Sequence, residues 1–427
     1  MPGDEFRNKK GGDRDVRGCG QRGFGVISEE KRSAEKIPRE GGRGRKCCVA
    51  ISRFSLAGFD VVGVFMQNWD IRDETGHCSS ERDREDAARI CEKLGVPLNH
   101  VNFVKEYWND VFSNLLKDYQ TGYTPNPDIR CNEFIKFRAF YDYARNELAA
   151  DAVATGHYTS TSFGPYLEGF APDARLLKAK DPVKDQTFFL SRIPQDSLRR
   201  AMFPVGGHYK RDVIKIAREN GLNDVANKKE SMGICFIGSR RFQDFISEYV
   251  ENKPGNFVDL ETSSVVGRHN GIHHWTMGQR CKIGGVPKPY FVCRKDADTN
   301  DIWVVPGTRH PALFSRIMIT EKFHWINPEW GDLIDSRGIL ECDFRFQHTK
   351  PVVPCAVFRT KEDRFVVALG EPARALTPGQ FAVVYSKNEC LGSARILTAG
   401  PSLYSLNREV PAADGLNESS RSSPSIR

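Results

Sequence analysis

The sequence predicts an α/β domain with a parallel sheet, then a small, mostly helical central domain, then an all-β C-terminal barrel. Short β-branched runs alternate with helical stretches between Lys46 and about Arg200, which is the pattern of strands joined by helical crossovers. Beyond about Phe257 the runs shorten, alternate, and are separated by Gly, Pro and Asp turns. A length of 427 residues leaves room for two or three domains.

In chain order, strands are expected at 47–52, 60–65, 98–104 and 152–155, and helices near 82–94, 107–120 and 133–148. Residues 210–220 and 242–250 show the 3.6-residue apolar spacing of helices. Residues 302–305, 365–369 and 381–385 read as strands of the β region. The domains are therefore a disordered basic leader at 1–46, the α/β domain at 47–200, the central domain at 201–256, the barrel at 257–400 and a loose tail at 401–427. The leader holds 13 Lys and Arg, 8 Asp and Glu and 10 Gly with few large apolar residues, too little to offset ordering entropy by burial. Its Gly18-Cys19-Gly20-Gln21-Arg22-Gly23 spells a dinucleotide fingerprint, but no apolar strand precedes it and no amphipathic helix follows.

Composition excludes several classes. The formal charge of +7 sits mostly in the leader, so it is no argument for a nucleic-acid partner. No apolar run approaches the roughly 18 residues of a membrane span. Twelve cysteines without a single C-x-x-C pair suit individual thiols in a reducing compartment better than a disulfide scaffold or structural zinc.

Four segments carry candidate chemistry. In Thr124-Pro125-Asn126-Pro127-Asp128-Ile129-Arg130-Cys131-Asn132 the prolines hold the chain extended before a helix, so Cys131 is expected near that helix's positive end, where a thiolate is stabilised. The other reading is a small buried cysteine with Asp128 capping the helix. Cys235, in Glu230 to Gly238, lies in a short apolar run just after Lys228 and Lys229; it is either an activated thiol or a core strand cysteine. Thr155-Gly156-His157 follows a strand, where open α/β sheets bind ligands, although a plain strand-to-loop transition has the same appearance. Lys184-Asp185-Gln186 could read phosphates or base edges, or form a solvated turn. His269, His273 and His274 are expected as solvent-exposed strand or turn histidines, because Gly267 and Gly271 oppose a shared helix, and no metal site is expected.

Together these strings resemble a family. Val64-Phe65-Met66 with Asn68-Trp69, Thr124 to Asp128 with Cys131-Asn132, Ala154 to Tyr158, Lys184 to Phe188, Glu230 to Gly238, Thr276 to Arg280 and Thr377-Pro378-Gly379-Gln380 recur in this order in the tRNA-specific 2-thiouridylases. The match is most like the animal mitochondrial enzymes and spans about residues 46 to 400.

The resemblance implies an adenine-nucleotide alpha-hydrolase-like first domain and a mitochondrial location. It also implies ATP with Mg2+ as the nucleotide, and a monomer that binds the anticodon stem-loop of tRNA without touching a membrane. ATP adenylates the C2 oxygen of the wobble uridine, and a cysteine persulfide delivers sulfur to C2. Carried over, Cys235 is the persulfide carrier, fed by a persulfide donor or cysteine-desulfurase relay. Cys131 is the nucleophile that pairs with it in a transient disulfide, and Asp128 is an acid or base beside the base. Ser52, Met66 and Gly156 match nucleotide positions; Asn126, Pro127, Asp128, His157, Lys184, Asp185, Gln186, Arg345, Phe346 and Gln380 match tRNA contacts.

One departure stands out. The family's Ser-Gly-Gly-x-Asp-Ser loop is absent: Val49-Ala50-Ile51-Ser52 is followed by Arg53-Phe54-Ser55-Leu56-Ala57-Gly58-Phe59 and then the next strand. Parallel neighbours need a connection of about a dozen residues, which this stretch does not supply. The sequence thus also admits an ATP-site-deficient tRNA-binding protein without catalysis, and a dithiol redox or cysteine-hydrolase protein using Cys131 and Cys235.

Overall fold

The structure, a computed structural model, describes residues 19–28, 59–69, 79–169, 171–219 and 241–411. The expected strand at 47–52 with Ser52, the Cys235 segment, and most of the leader and the final tail lie outside the described residues. The chain divides into two units. Unit 1 comprises residues 1–114, 127–242 and 388–390; unit 2 comprises 115–126, 243–387 and 391–427.

Unit 1 is built on a five-stranded sheet. Its strands are β1 (Cys19–Ser28), β2 (Asp60–Trp69), β3 (Leu98–Asn102), β4 (Ala152–Ala154) and, after the short strands β5 (Ser160–Thr161) and β6 (Leu176–Leu177), β7 (Ala201–Met202). The order is β3-β2-β1-β4-β7. The β2 and β3 strands run parallel, Gly63 opposite Leu98 through Gln67 opposite Asn102, joined by a connection carrying the expected helix, Ser79–Leu94. That helix comes close enough to β2 that a Cβ on Gly63 would lie 2.8 Å from the Cys91 sulfur, so any side chain there would force Cys91 to move. The β4 and β7 strands are also parallel. Val61, Val96, Ala152, Ala154 and Met202 form a core across the sheet.

The central strand corrects two expectations. Residues 19–28, assigned to a disordered leader, form β1, and β1 runs antiparallel to both β2 and β4, so the sheet is mixed rather than parallel. Phe24, Val26 and Ile27 give this stretch the β propensity that the leader's overall composition conceals. Its connection to β2 is also far longer than the seven residues after Ser52.

In unit 2 the region expected as one barrel divides in two. Strands β8 (Gly255–Asp259), β9 (Val265–His269), β10 (Arg280–Cys281), β11 (Tyr290–Asp296) and β12 (Asp301–Pro306) form one sheet, ordered β10-β11-β12-β8-β9, around Phe257, Ile272, Val292, Ile302 and Val304. Within the stretch expected as the helical central domain, 201–256, the described helices are Lys210–Glu219 and Phe242–Ile246, where the 3.6-residue spacing places them. The second group is β13 (Phe314–Thr320), β14 (His324–Trp325), β15 (Ile339–Arg345), β16 (Val353–Arg359), β17 (Phe365–Arg374), β18 (Phe381–Ser386) and β19 (Glu389–Ala399). Six of these follow the order β13-β17-β16-β15-β18-β19, and pairing of β13 with β19 closes the barrel, which removes exposed edges. Alternation along β17 sends Phe365, Val367 and Leu369 into the core, where each buried side chain is worth about 1.5–3 kcal/mol.

Candidate active site

The candidate chemistry of unit 1 is carried by one helical run. It opens at Pro127, whose fixed φ suits a first helical position, and continues from Pro127–Arg130 through a wide π-type segment, Cys131–Ala139, into Phe140–Glu147. The helix therefore starts six residues before the expected Glu133. Asp128, not Cys131, occupies its first turn, and Cys131 lies a turn inside, 2% exposed, where the helix-end charge has largely decayed. The expected disulfide of Cys131 with Cys235 finds no support here, because Cys235 lies outside the described residues.

Asp128 retains accessible surface, but its dense surroundings push the carboxyl above the ordinary carboxylate range while the Lys136 ammonium pulls it back. A carboxyl poised between these influences suits proton transfer. Asp128, Asn132 and Lys136 recur at four-residue spacing along the run. Asn132 is buried; its Nδ2 donates to the Phe189 carbonyl at 2.7 Å, and its Oδ1 has no hydrogen-bond partner. Next to it, Glu133 is buried and accepts from Arg192 Nε at 2.8 Å and Arg130 at 3.2 Å, which pins the helix.

The carboxyl end of β4 supplies the facing wall. The Thr155 N–H donates to the Met202 carbonyl at 3.0 Å, and the Thr155 hydroxyl lies 2.7 Å from His157 Nδ1. His157 Nε2 lies 3.5 Å from Lys136 Nζ, so Lys136 touches one expected residue and acts electrostatically on another. Gly156, between Thr155 and His157, is partly exposed, as a backbone approached by a ligand must be.

The Lys184-Asp185-Gln186 string divides by role. Asp185 is buried and accepts from the Ala179 and Thr187 amides at 3.1 and 3.4 Å and from the Thr187 hydroxyl at 2.8 Å, which holds its own turn. Gln186 exchanges hydrogen bonds with the Tyr158 backbone at 2.9 and 2.7 Å, tying this turn to the residue after His157. Lys184 keeps exposed surface.

Within unit 2, Asn126 Nδ2 donates to Gln380 Oε1 at 3.2 Å, and Gln380 Nε2 donates to the Thr124 and Pro125 carbonyls at 2.8 and 3.1 Å. Two strings far apart in sequence thus interlock. At the end of β15, Arg345 lies over the Tyr385 ring at 5.5 Å, while Phe346 is buried and stacks on Phe344. His269 and His273, expected in solvent, are buried. Asn252 Oδ1 holds His273 at 3.2 Å and His274 at 2.8 Å, and burial drives their pKa values down, that of His273 to about 4. Among the described residues no metal-binding cluster occurs.

For a nucleotide, the residues fit unequally. Met66 is fully buried within β2, and two residues on Asn68 is buried with both side-chain polar atoms unpartnered. That orphaned amide and the Gly156 backbone suit the adenosine end of ATP. For the phosphates the chain has neither the glycine pair nor the aspartate of the family loop. A cavity of about 540 Å³ lined by Phe59, Tyr166, Arg145, Arg200 and Met202 lies at the amino ends of β2 and β4, the edge opposite Thr155–His157.

Sequence reading missed Lys136, Glu133 and the orphaned amides of Asn68 and Asn132. Spacing from Asp128 was the available signal for Lys136.

An α/β domain with a carboxyl group, an imidazole and an ammonium gathered beside the carboxyl end of a sheet strand, followed by two β domains, defines a nucleotide-type group-transfer architecture. Profiles described as tRNA methyl transferase HUP domain, tRNA methyl transferase PRC-barrel domain and aminomethyltransferase beta-barrel domain match residues 42–239, 243–306 and 315–396. The chain belongs to the tRNA-specific 2-thiouridylase family. It is 50% identical over 372 residues to mitochondrial tRNA-specific 2-thiouridylase 1 of Drosophila melanogaster, covering 86% of this chain and 95% of that protein. It is 45% identical over 398 residues to the Homo sapiens protein of that name, covering 89% and 94%. A Caenorhabditis elegans protein called probable mitochondrial tRNA-specific 2-thiouridylase 1 is 44% identical over 361 residues, covering 82% and 95%.

Proposed function

We propose that this chain transfers sulfur to C2 of the wobble uridine of mitochondrial tRNA, using ATP with Mg2+ and a cysteine persulfide. The observation carrying this reading is the constellation of Asp128, Lys136 and His157 in unit 1, together with near-complete coverage of relatives named for that activity. ATP supplies a leaving group on the C2 oxygen. The chain's own residues do the rest. Asp128, its carboxyl held above the ordinary carboxylate range, exchanges a proton with the base. Cys235 arrives as a persulfide from an upstream donor, and the Cys131 thiolate attacks its inner sulfur. The S–S bond breaks, the terminal sulfur leaves as hydrosulfide and adds to C2, and a thiol reductant later opens the Cys131–Cys235 disulfide. The identity of the donor and a monomeric state are part of the same reading.

The test is to incubate the full chain with ATP, Mg2+, a persulfide donor and unmodified mitochondrial tRNA, then quantify 2-thiouridine in digested nucleosides by mass spectrometry. Thiolated product supports the reading; bound tRNA without product overturns it.

A further inference from the structure

Lys136 is assigned no step in the sulfur-transfer scheme, yet it bears on Asp128, which is assigned one, and touches His157, which the family resemblance places at the tRNA. Its Nζ reaches His157 Nε2 at 3.5 Å, and its charge acts on Asp128, eight positions earlier on the helical run. Neighbouring charges are engaged otherwise: Arg130 and Arg192 close on Glu133, and Arg138 lies over the Phe134 ring at 5.2 Å. Asp128 itself makes no ion pair among the described residues, so Lys136 is the charge that bears on it.

The contact with His157 fixes a tautomer. An ammonium group has three donors and no acceptor, so Nε2 must be the accepting nitrogen. The ring proton then resides on Nδ1, which donates to the Thr155 hydroxyl oxygen 2.7 Å away. Thr155 is in turn immobile, 1% exposed and tied by its amide to Met202. Phe137 packs beside the ring with centroids 6.0 Å apart, which limits rotation. An imidazole held in this way presents an accepting edge toward Lys136 and is not a cation.

We infer that Lys136 is a positioning residue that links Asp128 and His157, fixing the ring as the neutral Nδ1–H tautomer and supplying positive charge to the carboxylate. This rests on the proposed role of Asp128 only for its catalytic consequence; the electrostatic arrangement stands without it. With both ring nitrogens of His157 engaged, by Lys136 and by Thr155, the acceptor offered to an arriving base is the Asp128 carboxylate, and a donor such as the uridine N3–H is the complementary group.

Two measurements on the full chain test this. The first is 15N NMR of histidine-labelled protein, with the His157 signals assigned by comparison with His157→Gln. The Nδ1–H pattern is expected in the wild type, and the Nε2–H pattern there overturns the inference whatever any variant does. The second follows the Asp128 carboxyl by 13C NMR through a pH titration, assigned with Asp128→Asn. In Lys136→Met the midpoint is expected to rise by about 0.5–1 unit, a three- to tenfold change in the proton dissociation constant, with the rise largely reversed in Lys136→Arg. An unchanged midpoint in a Lys136→Met protein whose thermal melt matches wild type overturns the inference; Lys136→Gln serves the same comparison should the methionine variant misfold. If the midpoint moves as expected while Asp128→Asn still thiolates tRNA, the positioning role holds and the catalytic reading of Asp128 fails.

Discussion

Asn126 and Gln380 are hydrogen-bonded at 3.2 Å across 254 positions of sequence, and this one contact explains why two strings of the chain are shaped as they are. The Thr124 amide donates to the Pro378 carbonyl at 2.9 Å, and Gln380 returns two bonds to the carbonyls of Thr124 and Pro125. Gly379 between them has φ +93°, and a Cβ there would stand 2.9 Å from the Thr124 backbone. Pro125 and Pro127 remove two amide donors from the segment, and the Gln380 amide supplies a donor to two of its carbonyls.

Gln380→Ala is accordingly expected to destabilise unit 2 by about 1–3 kcal/mol, from three modest hydrogen bonds partly replaced by water. Gly379→Ala is expected to cost at least as much, since it adds both a left-handed backbone penalty and a backbone clash. Urea titrations followed by tryptophan fluorescence measure both. A Gly379→Ala protein with an unchanged midpoint would show that the 377–380 turn relaxes freely.

The buried carboxylate of Glu133 anchors the helical run that carries Asp128, Cys131 and Lys136. It accepts from two guanidinium groups that are themselves partly buried, so removing its charge leaves two cations facing each other. Glu133→Gln is expected to lose about 3–5 kcal/mol of unit 1 stability, the range for breaking a buried pair. Glu133→Asp should lose less, because the charge survives with a shorter reach. Equal losses in the two variants, measured by calorimetry, would mean that geometry rather than charge is what Glu133 contributes.

In the proposed scheme the two thiols divide the sulfur chemistry between them, and separate variants resolve the two roles. Cys235→Ser is expected to abolish persulfide loading, read by mass spectrometry of the alkylated protein, while tRNA affinity stays within about twofold. Cys131→Ser is expected to load normally and to lose product formation by a factor of about 10³ or more, as for loss of a nucleophile. A Cys235→Ser protein that still carries labile sulfur would reassign the carrier, and the described cysteines Cys281, Cys293 and Cys390 then become the next to test.

Much of the fold was legible because its signals are local. The 3.6-residue pattern located the helix Lys210–Glu219, and the alternation of Phe365, Val367 and Leu369 located β17. The central strand was not legible, since the β propensity of Phe24, Val26 and Ile27 is diluted within a charged, glycine-rich stretch and the strand is completed by pairing with β2 and β4. The site shows the same division. Asp128 and His157 sit in proline- and glycine-marked turns that punctuate the sequence, whereas Lys136 lies mid-helix among Phe134, Ile135 and Phe137, where a lysine ordinarily reads as a solvated position. Only the fold brings it to His157.

A pH effect on unit 2 follows from its buried histidines. Burial, helped by the nearby His274, Lys295 and His269, lowers the His273 pKa from 6.5 to about 4. Between these values the unfolded chain binds a proton that the folded chain refuses, so stability rises with pH across the window. Its contribution is complete above pH 6.5 and lost progressively toward pH 4. For His273, 4% exposed, the loss amounts to about 3 kcal/mol at the lower end, and the depressed values of His269 and His274 add to it in the same direction. Asn252 binds both His273 and His274 through one carbonyl oxygen, which a neutral N–H on each ring can share. The expected observation is a melting temperature that falls from pH 7 to pH 4.5 in the wild type and falls less steeply in His273→Gln, an uncharged replacement that can still donate to Asn252. Parallel pH profiles in the two proteins would show that the acid sensitivity of this unit originates outside the histidine cluster.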